Sequence, residues 1–366
     1  MAEYLAKFDG NNTIMQLSKE KIYALISDHL PQFERVGSLE SLRGGNLNYV
    51  WRLRGKNKNL IIKHAPPYIA SNPDIPLNNN RIDFEARALE LFESAETLSE
   101  ISSAQVRPPE RLLYEPNQSL LVMEDIGSVP AIDSWLSSAA ETTQIGSLLG
   151  HFIGQLHKKT FNDSGLRKQF NNKPIQETRN QVQYQPAADY ASEIISIQNT
   201  NFEARTKALG EKLLDPGKCL VMGDLWPASI LIKNGNLRLI DWEFVHYGRP
   251  LQDAGHFVAH CWMQAHTASS SSETNKWKQL WLSFWRKYQH TTGEVFEELF
   301  NQEEHDFMTT HIAAEVLVRA AGPFKDGYIY KAFPPSHPKI EEAVNNAIQI
   351  SERTIASIWD FLPGQV

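Results

Sequence analysis

Met222-Gly223-Asp224-Leu225-Trp226-Pro227-Ala228-Ser229-Ile230-Leu231-Ile232, followed shortly by Leu239-Ile240-Asp241-Trp242-Glu243-Phe244, decides how the rest of the chain is read. Two apolar runs deliver carboxylates to their ends: Leu220-Val221-Met222 leads to Asp224, and residues 237–240 lead to Asp241. Between them Asn234-Gly235-Asn236 reads as a hairpin turn joining strands over 229–233 and 237–240. A hairpin brings its ends together, so Asp224, Ser229, Asp241 and Glu243 are expected at one mouth. Clustered carboxylates repel unless a cation or a proton transfer uses them. Oxygen ligands in such a place suit Mg²⁺, which takes few protein carboxylates and leaves room for phosphate.

An Asp on a loop, a small polar residue five positions on, a hairpin and a second Asp resemble the catalytic half of the protein-kinase-like fold. The form here is similar to its small-molecule branch, which holds aminoglycoside phosphotransferases, choline kinases and methylthioribose kinases. In that branch the kinase His-Arg-Asp shortens to Gly-Asp, here Gly223-Asp224, and Asp-Phe-Gly becomes Asp-x-Glu, here Asp241-Trp242-Glu243. The resemblance implies an α+β fold with a small β-rich lobe, a larger helical lobe and ATP between them. It also implies roles. Asp224 would deprotonate the acceptor hydroxyl, while Asp241, Glu243 and Ser229 would hold Mg²⁺.

Upstream, residues 18–30 alternate at helical spacing behind Ser18, a plausible N-cap. Strand-like runs follow over 36–43, 48–54 and 59–65, joined by the turns Gly44-Gly45-Asn46 and Gly55-Lys56-Asn57-Lys58. Glycines at the first turn let backbone amides approach a phosphate closely, though taken alone they read better as an ordinary hairpin turn. Leu60-Ile61-Ile62-Lys63 puts a lysine at the edge of a buried sheet. That is either a solvated strand end or, as the resemblance implies, the lysine that pairs with the phosphates of ATP, held by a glutamate on the next helix. Residues 81–92 form that helix candidate, with Phe84, Ala88, Leu89 and Phe92 as its apolar stripe and Glu85 as the glutamate. Two more strands are expected over 106–114 and 119–124, and Pro108-Pro109 confines the first to a sheet edge. The second ends in Met123-Glu124, where the resemblance implies adenine binding by the link between lobes; the lobe boundary is set at Asp125, giving 1–125 and 126–366.

Within the family the likeness is nearest to methylthioribose kinases. It is carried by Gly45-Asn46-Leu47-Asn48-Tyr49-Val50, by Ile61-Ile62-Lys63-His64-Ala65-Pro66-Pro67-Tyr68-Ile69 and by Asp83-Phe84-Glu85-Ala86. Those kinases carry His-Gly-Asp-Leu-His-Thr-Gly-Ser and Asp-Pro-Glu-Phe where this chain has Met222 to Ser229 and Asp241 to Phe244. The base and metal residues are kept while residues beside the acceptor change. The family's C-terminal arginine pair corresponds to Val318-Arg319, so Arg319 is a substrate candidate, with an internal pair to Glu315 at i and i+4 as the alternative. Trp226 and Trp242 are the nearest aromatic candidates for an acceptor pocket.

The remaining features read as architecture. Gly146, Gly150 and Gly154 recur every fourth residue of a helix over 143–158, which implies close packing on a neighbour. His157 reads as structural. Residues 161–185 are polar and read as a surface insertion, whereas 189–214 resume helical patterning. Asp253 is expected to hold the catalytic loop without doing chemistry. His256 and His260 lie four apart, but no Glu follows His256 as in a zinc protease, so both read as ordinary helix histidines. Trp277, Trp281 and Trp285 share a helix face and read as core.

The chain has 366 residues, 42% hydrophobic and 22% charged, which suits a globular enzyme of two lobes. A net charge of −7 argues against nucleic acid as a main partner. Two cysteines, Cys219 and Cys261, imply no disulfide framework. No signal core and no run of membrane length occurs, so a cytoplasmic protein with no membrane partner is expected. The reading is an ATP- and Mg²⁺-dependent kinase of a small hydroxyl compound, methylthioribose first, with a homodimer left open. A choline, homoserine or aminoglycoside acceptor is the alternative, and a silent pseudokinase is disfavoured because Lys63, Glu85, Asp224 and Asp241 are all present.

Overall fold

The computed structural model describes residues 17–42, 47–93, 96–135, 139–196 and 199–362. Gly44, Gly45 and Asn46 lie outside the described residues. Two compact units emerge, one from Met1–Glu96 with Pro109–Ser128, the other from Thr97–Pro108 with Val129–Val366.

The first unit starts with α1 (Lys19–His29), whose N-terminus is capped by Ser18 Oγ accepting from Lys21 N. Strands β1 (Glu40–Ser41), β2 (Tyr49–Leu53) and β3 (Leu60–His64) follow, and the first is far shorter than the strand-like run over 36–43 suggested. The loop over 66–80 contains a small hairpin, β4 (Tyr68–Ile69) and β5 (Asn72–Pro76), before α2 (Arg81–Glu90). The next strand, β6 (Val106–Arg107), belongs to the second unit. The expected single strand over 106–114 is therefore split, because Pro108 and Pro109 offer no ladder N–H. Its remainder, β7 (Arg111–Glu115), pairs with β8 (Leu120–Glu124), closing a five-stranded antiparallel sheet in the order β1-β2-β3-β8-β7. The face of β2, β3 and β8 that carries Trp51, Leu53, Leu60, Ile62 and Val122 packs with Ile22 and Ile26 of α1.

The second unit is mainly helical. It contains α3 (Ile132–Trp135), α4 (Ala139–Thr160), α5 (Ser164–Gln169), α6 (Lys173–Arg179), α7 (Ala187–Ile195) and α8 (Thr200–Lys212). Four short strands come next: β9 (Cys219–Val221), β10 (Ile230–Lys233), β11 (Asn236–Leu239) and β12 (His246–Gly248). The chain finishes through α9 (Leu251–Thr267), α10 (Ser271–Thr292), α11 (Phe296–Leu299), α12 (Gln302–Ala320) and α13 (Pro338–Ser351). The β10–β11 hairpin turns through Asn234 and Gly235, at φ 53 and 75, the left-handed pair that a tight hairpin needs. β11 also pairs in parallel with β6. Among the described residues no helix is long and apolar enough to cross a membrane.

The glycine stripe of α4 packs on α10. A Cβ on Gly150 would lie 2.2 Å from the carbonyl oxygen of Phe284, and one on Gly146 would lie 2.0 Å from Ser283 Oγ. Backbone cannot swing aside as a side chain can, so Gly150→Ala must push the two helices apart. Overpacking of this kind costs about 1–3 kcal/mol. We expect a clear fall in Tm for Gly150→Ala and none for Gly327→Ala, where a new Cβ meets nothing within 4 Å. Equal melting of the two variants would contradict the close packing. Trp277 and Trp281 of α10 are buried as their spacing predicts.

Candidate active site

β9 is wholly buried and delivers the chain into Gly223, at φ 83, where L side chains are strained. Space forbids them as well: a Cβ there would lie 2.4 Å from the carbonyl oxygen of Phe244. The Asp224 loop is thus pressed against the turn that follows Asp241. Asp253, in the first turn of α9, accepts from Met222 N at 2.9 Å and Gly223 N at 2.8 Å, which is the loop-holding place foreseen for it. His157 Nε2 lies 3.0 Å from the same carboxylate, and its Nδ1 lies 2.8 Å from the Tyr288 hydroxyl, so this histidine is structural.

Asp224 is met by two further side chains. Arg179 Nη2 donates to its Oδ1 at 2.7 Å, Arg179 Nη1 donates to Gly223 O, and the guanidinium stacks 5.0 Å from the Phe244 ring centre. His256 Nε2 lies 3.2 Å from the same Oδ1. Burial pushes the Asp224 carboxyl up, but His256, Arg179 and Arg319 outweigh it and hold the group well below the usual carboxylate range. The acid is ionised at neutral pH.

Arg179 was missed from the sequence. Residues 161–185 are not a plain surface insertion but fold as α5, α6 and a π-helical turn, Asn180–Tyr184, directly after Arg179. Such π turns often occur at functional sites. A polar segment with few apolar residues gives no periodic signal, and a single arginine in it carries none either. The helix-histidine reading of His256 is likewise corrected, because α9 turns that ring toward Asp224.

The hairpin returns the chain to Asp241, whose backbone is left-handed at φ 64 and ψ 62. Residues with a side chain seldom hold such a conformation, Asp and Asn doing so most readily, and those that do occur at turns and at functional sites. Glu243 is buried, and its carbonyl accepts from Asn172 Nδ2 at 3.2 Å. Ile240 N donates to Ser229 O at 2.9 Å, tying the end of β11 to the turn that follows Asp224. Ser229, expected at the metal, is fully buried, and its hydroxyl donates to Trp226 O at 2.9 Å, closing the turn. Asp241 and Glu243 offer hard carboxylate oxygens with no thiolate among them, a donor set that fits Mg²⁺. Trp242 is corrected. It is completely buried and donates Nε1–H to Leu239 O at 2.9 Å, so it is core and lines no acceptor pocket.

In the first unit Lys63 Nζ lies 2.8 Å from Glu85 Oε2, both side chains being almost wholly buried. Strand β3 places Lys63 opposite Val50 and Leu121, and α2 carries Glu85 on its buried face. Met123 is buried in β8, and Glu124 N donates to Glu110 O at 2.9 Å, so that amide is already engaged.

Arg319 ion-pairs with Glu315, a turn before it on α12, the alternative raised by its spacing. Its guanidinium also lies 5.2 Å from the Trp226 ring centre, 5.8 Å from Tyr328 and 5.9 Å from Phe324. Burial would raise the Glu315 carboxyl, but His256 and Arg319 hold it well below its usual range, while burial and Arg319 push His260 down to about 3. Arg319→Ala leaves an acid in the core, and breaking a buried pair costs about 3–5 kcal/mol. A large fall in Tm is therefore expected, and unchanged melting would show that the pair contributes nothing.

Residues 38–284 match the family described as the phosphotransferase enzyme family, two thirds of the chain. The chain belongs to that family. This phosphotransferase is 27% identical over 268 residues to a 4-hydroxytryptamine kinase of Psilocybe cyanescens, covering 68% of this chain and 74% of the relative. It is 26% identical over 278 residues to a methylthioribose kinase of Bacillus mycoides (strain KBAB4), covering 69% and 66%. Its fold resembles a spectinomycin phosphotransferase solved in complex with ADP and spectinomycin, at TM-score 0.53 and 12% identity, covering 95% of this chain and 100% of that one. It is a small-molecule kinase with a protein-kinase-like α+β fold, as the Gly-Asp and Asp-x-Glu stretches implied.

Proposed function

We propose that this phosphotransferase moves the γ-phosphoryl group of ATP to a hydroxyl of a small molecule, with Asp224 as the base. The observation that carries the reading is the Asp224 carboxyl group gripped by Arg179 at 2.7 Å, on a loop whose Gly223 is pressed against the Asp241–Phe244 turn. Asp224 orients the acceptor O–H and takes its proton as the oxygen bonds to phosphorus and ADP leaves. Lys63, steadied by Glu85, is assigned to the phosphates, and the Met123–Glu124 strand end to adenine. Asp241 and Glu243 are assigned to Mg²⁺, which when bound neutralises phosphate charge. Ser229 serves by shaping the turn. In-line transfer needs positioning and charge above all.

For the acceptor, methylthioribose or a related sugar remains the first candidate, supported by the Gly45 to Val50 and Lys63 to Ile69 stretches and by a 26% identical methylthioribose kinase. A hydroxylated aromatic amine is the second. It is favoured by the edge-on pair of Trp226, on the loop that carries Asp224, and Tyr328, which follows α12, with ring centres 5.0 Å apart, and by the 4-hydroxytryptamine kinase relative. Arg319 is engaged by Glu315 and flanked by rings, which weakens its assignment to sugar hydroxyls. The test is Mg²⁺-dependent ADP release with methylthioribose, ribose, 4-hydroxytryptamine, choline and homoserine. Turnover of methylthioribose well above ribose supports the first candidate, and turnover of the indole alone replaces it. Release with none of these above the no-acceptor rate rejects both candidates.

A further inference from the structure

α9 and α12 bury a chain of polar groups behind Asp224: His256, His260, His311 and Glu315. His256 lies between two carboxylates, its Nε2 3.2 Å from Asp224 Oδ1 and its Nδ1 3.6 Å from Glu315 Oε2. The ring is wholly buried, and neither nitrogen is aligned for a full hydrogen bond. Active-site hydrogen bonds of this kind tighten when substrate fills the site. The approach is one-sided. Arg179 Nη2 and His256 Nε2 both reach Oδ1, and among the described residues none bonds Oδ2.

Resting on the assignment of Asp224 as base, we infer that His256 is a positioning residue: with Arg179 it fixes Oδ1 and leaves Oδ2 turned to the acceptor hydroxyl. Glu315 backs the ring and sets its orientation. This explains why an acid is kept in the apolar middle of α12, where burying it is costly. A divalent cation at His256, His260 and Glu315 fits less well, although their donor atoms lie within 4.8 Å of one another. Glu315 is already taken by Arg319, and His260 Nε2 lies 3.2 Å from that same carboxylate oxygen, leaving no free charge to offset a dication.

The test uses the geometry of amide side chains. A glutamine amide reaches the place of Nε2, an asparagine amide only that of Nδ1. His256→Asn should lower kcat by about 10²-fold, the size of a misplacement near 1 Å, with the ATP KM within about twofold. His256→Gln should recover most of that loss. The acid limb of kcat should also move. Asp224 works ionised and its carboxyl is held low, so removing one donor raises it and shifts the limb of His256→Asn to higher pH. The groups facing this pair, Arg179 from α6, His260 from α9 and Glu315, His311 and Arg319 from α12, stay in place in both variants. A merely structural histidine would give glutamine and asparagine variants equal kcat and an unmoved limb, and that result overturns the inference. Zinc that copurifies with the wild type and is lost in both variants would overturn it too. If both are too unstable to assay but still melt cooperatively at lower temperature, His256→Gln introduced into the inactive Asp224→Asn protein decides through Tm alone. Equal destabilisation with and without the Asp224 carboxylate shows no coupling between the two side chains and rejects the inference, whereas a smaller loss in that background supports it. An active Asp224→Asn enzyme would instead reject the base assignment itself.

Discussion

Asp224→Asn is expected to lower turnover by about 10²–10⁴-fold, the range of a general base, while ATP affinity changes little. The substitution is close to isosteric. The amide oxygen of the introduced asparagine still accepts from Arg179, so the loop keeps its shape, and the Asp253 bonds to Met222 and Gly223 are untouched. What disappears is the negative charge that Arg179, His256 and Arg319 jointly stabilise. An amide orients an acceptor hydroxyl but takes no proton from it. Steady-state kinetics with the best acceptor, beside nucleotide titration, separates the two effects. Turnover within a few-fold of wild type would remove Asp224 from the role of base.

The outline of this site was legible because its parts lie close together in sequence. Gly223-Asp224, the Asn234-Gly235 hairpin and Asp241-Trp242-Glu243 are local signals, and the structure gives the hairpin the left-handed turn that its sequence demands. The Lys63–Glu85 pair was implied by the family resemblance, on a strand end and a helix the sequence places, and is found at 2.8 Å. The groups that grip Asp224 were not legible. Arg179 comes from a polar stretch whose helical turns have little apolar periodicity, and His256 comes from a helix buried nearly all round, where no face distinguishes one histidine from another. Trp242 misled for a related reason. An aromatic between two acids suggests an acceptor wall, but a tight turn alternates direction, and this one sends the indole inward. Long-range contacts of single side chains are invisible to spacing. The stacking of Trp226 on Arg319 is another such case, since that ring comes from a distant loop, whereas Phe324 and Tyr328 follow Arg319 closely in the chain.

Removing the carboxylate of Asp241 should have the largest effect on nucleotide binding. Mg²⁺ bound through one or two carboxylates tolerates the loss of neither well, and Glu243 alone supplies half the charge. Asp241→Asn and Asp241→Ala should both abolish the Mg²⁺-dependent part of ATP binding, a loss of about 10²-fold or more, equivalent to about 2.7 kcal/mol. The backbone then separates the two variants. At φ 64 and ψ 62, Asn is tolerated, while Ala lacks a side chain that can bond locally and meets the left-handed penalty of roughly 1–2 kcal/mol. Asp241→Asn should therefore melt near the wild type, and Asp241→Ala should melt lower. Calorimetry with ATP, with and without Mg²⁺, reads the first effect and thermal unfolding reads the second. If MgATP affinity survives in the well-folded Asn variant, Asp241 is not a metal ligand and the Mg²⁺ site must be sought elsewhere. If affinity is lost in both but melting is equal, the metal assignment stands and the strain argument alone fails, because the Asp241 backbone would then have relaxed without its side chain.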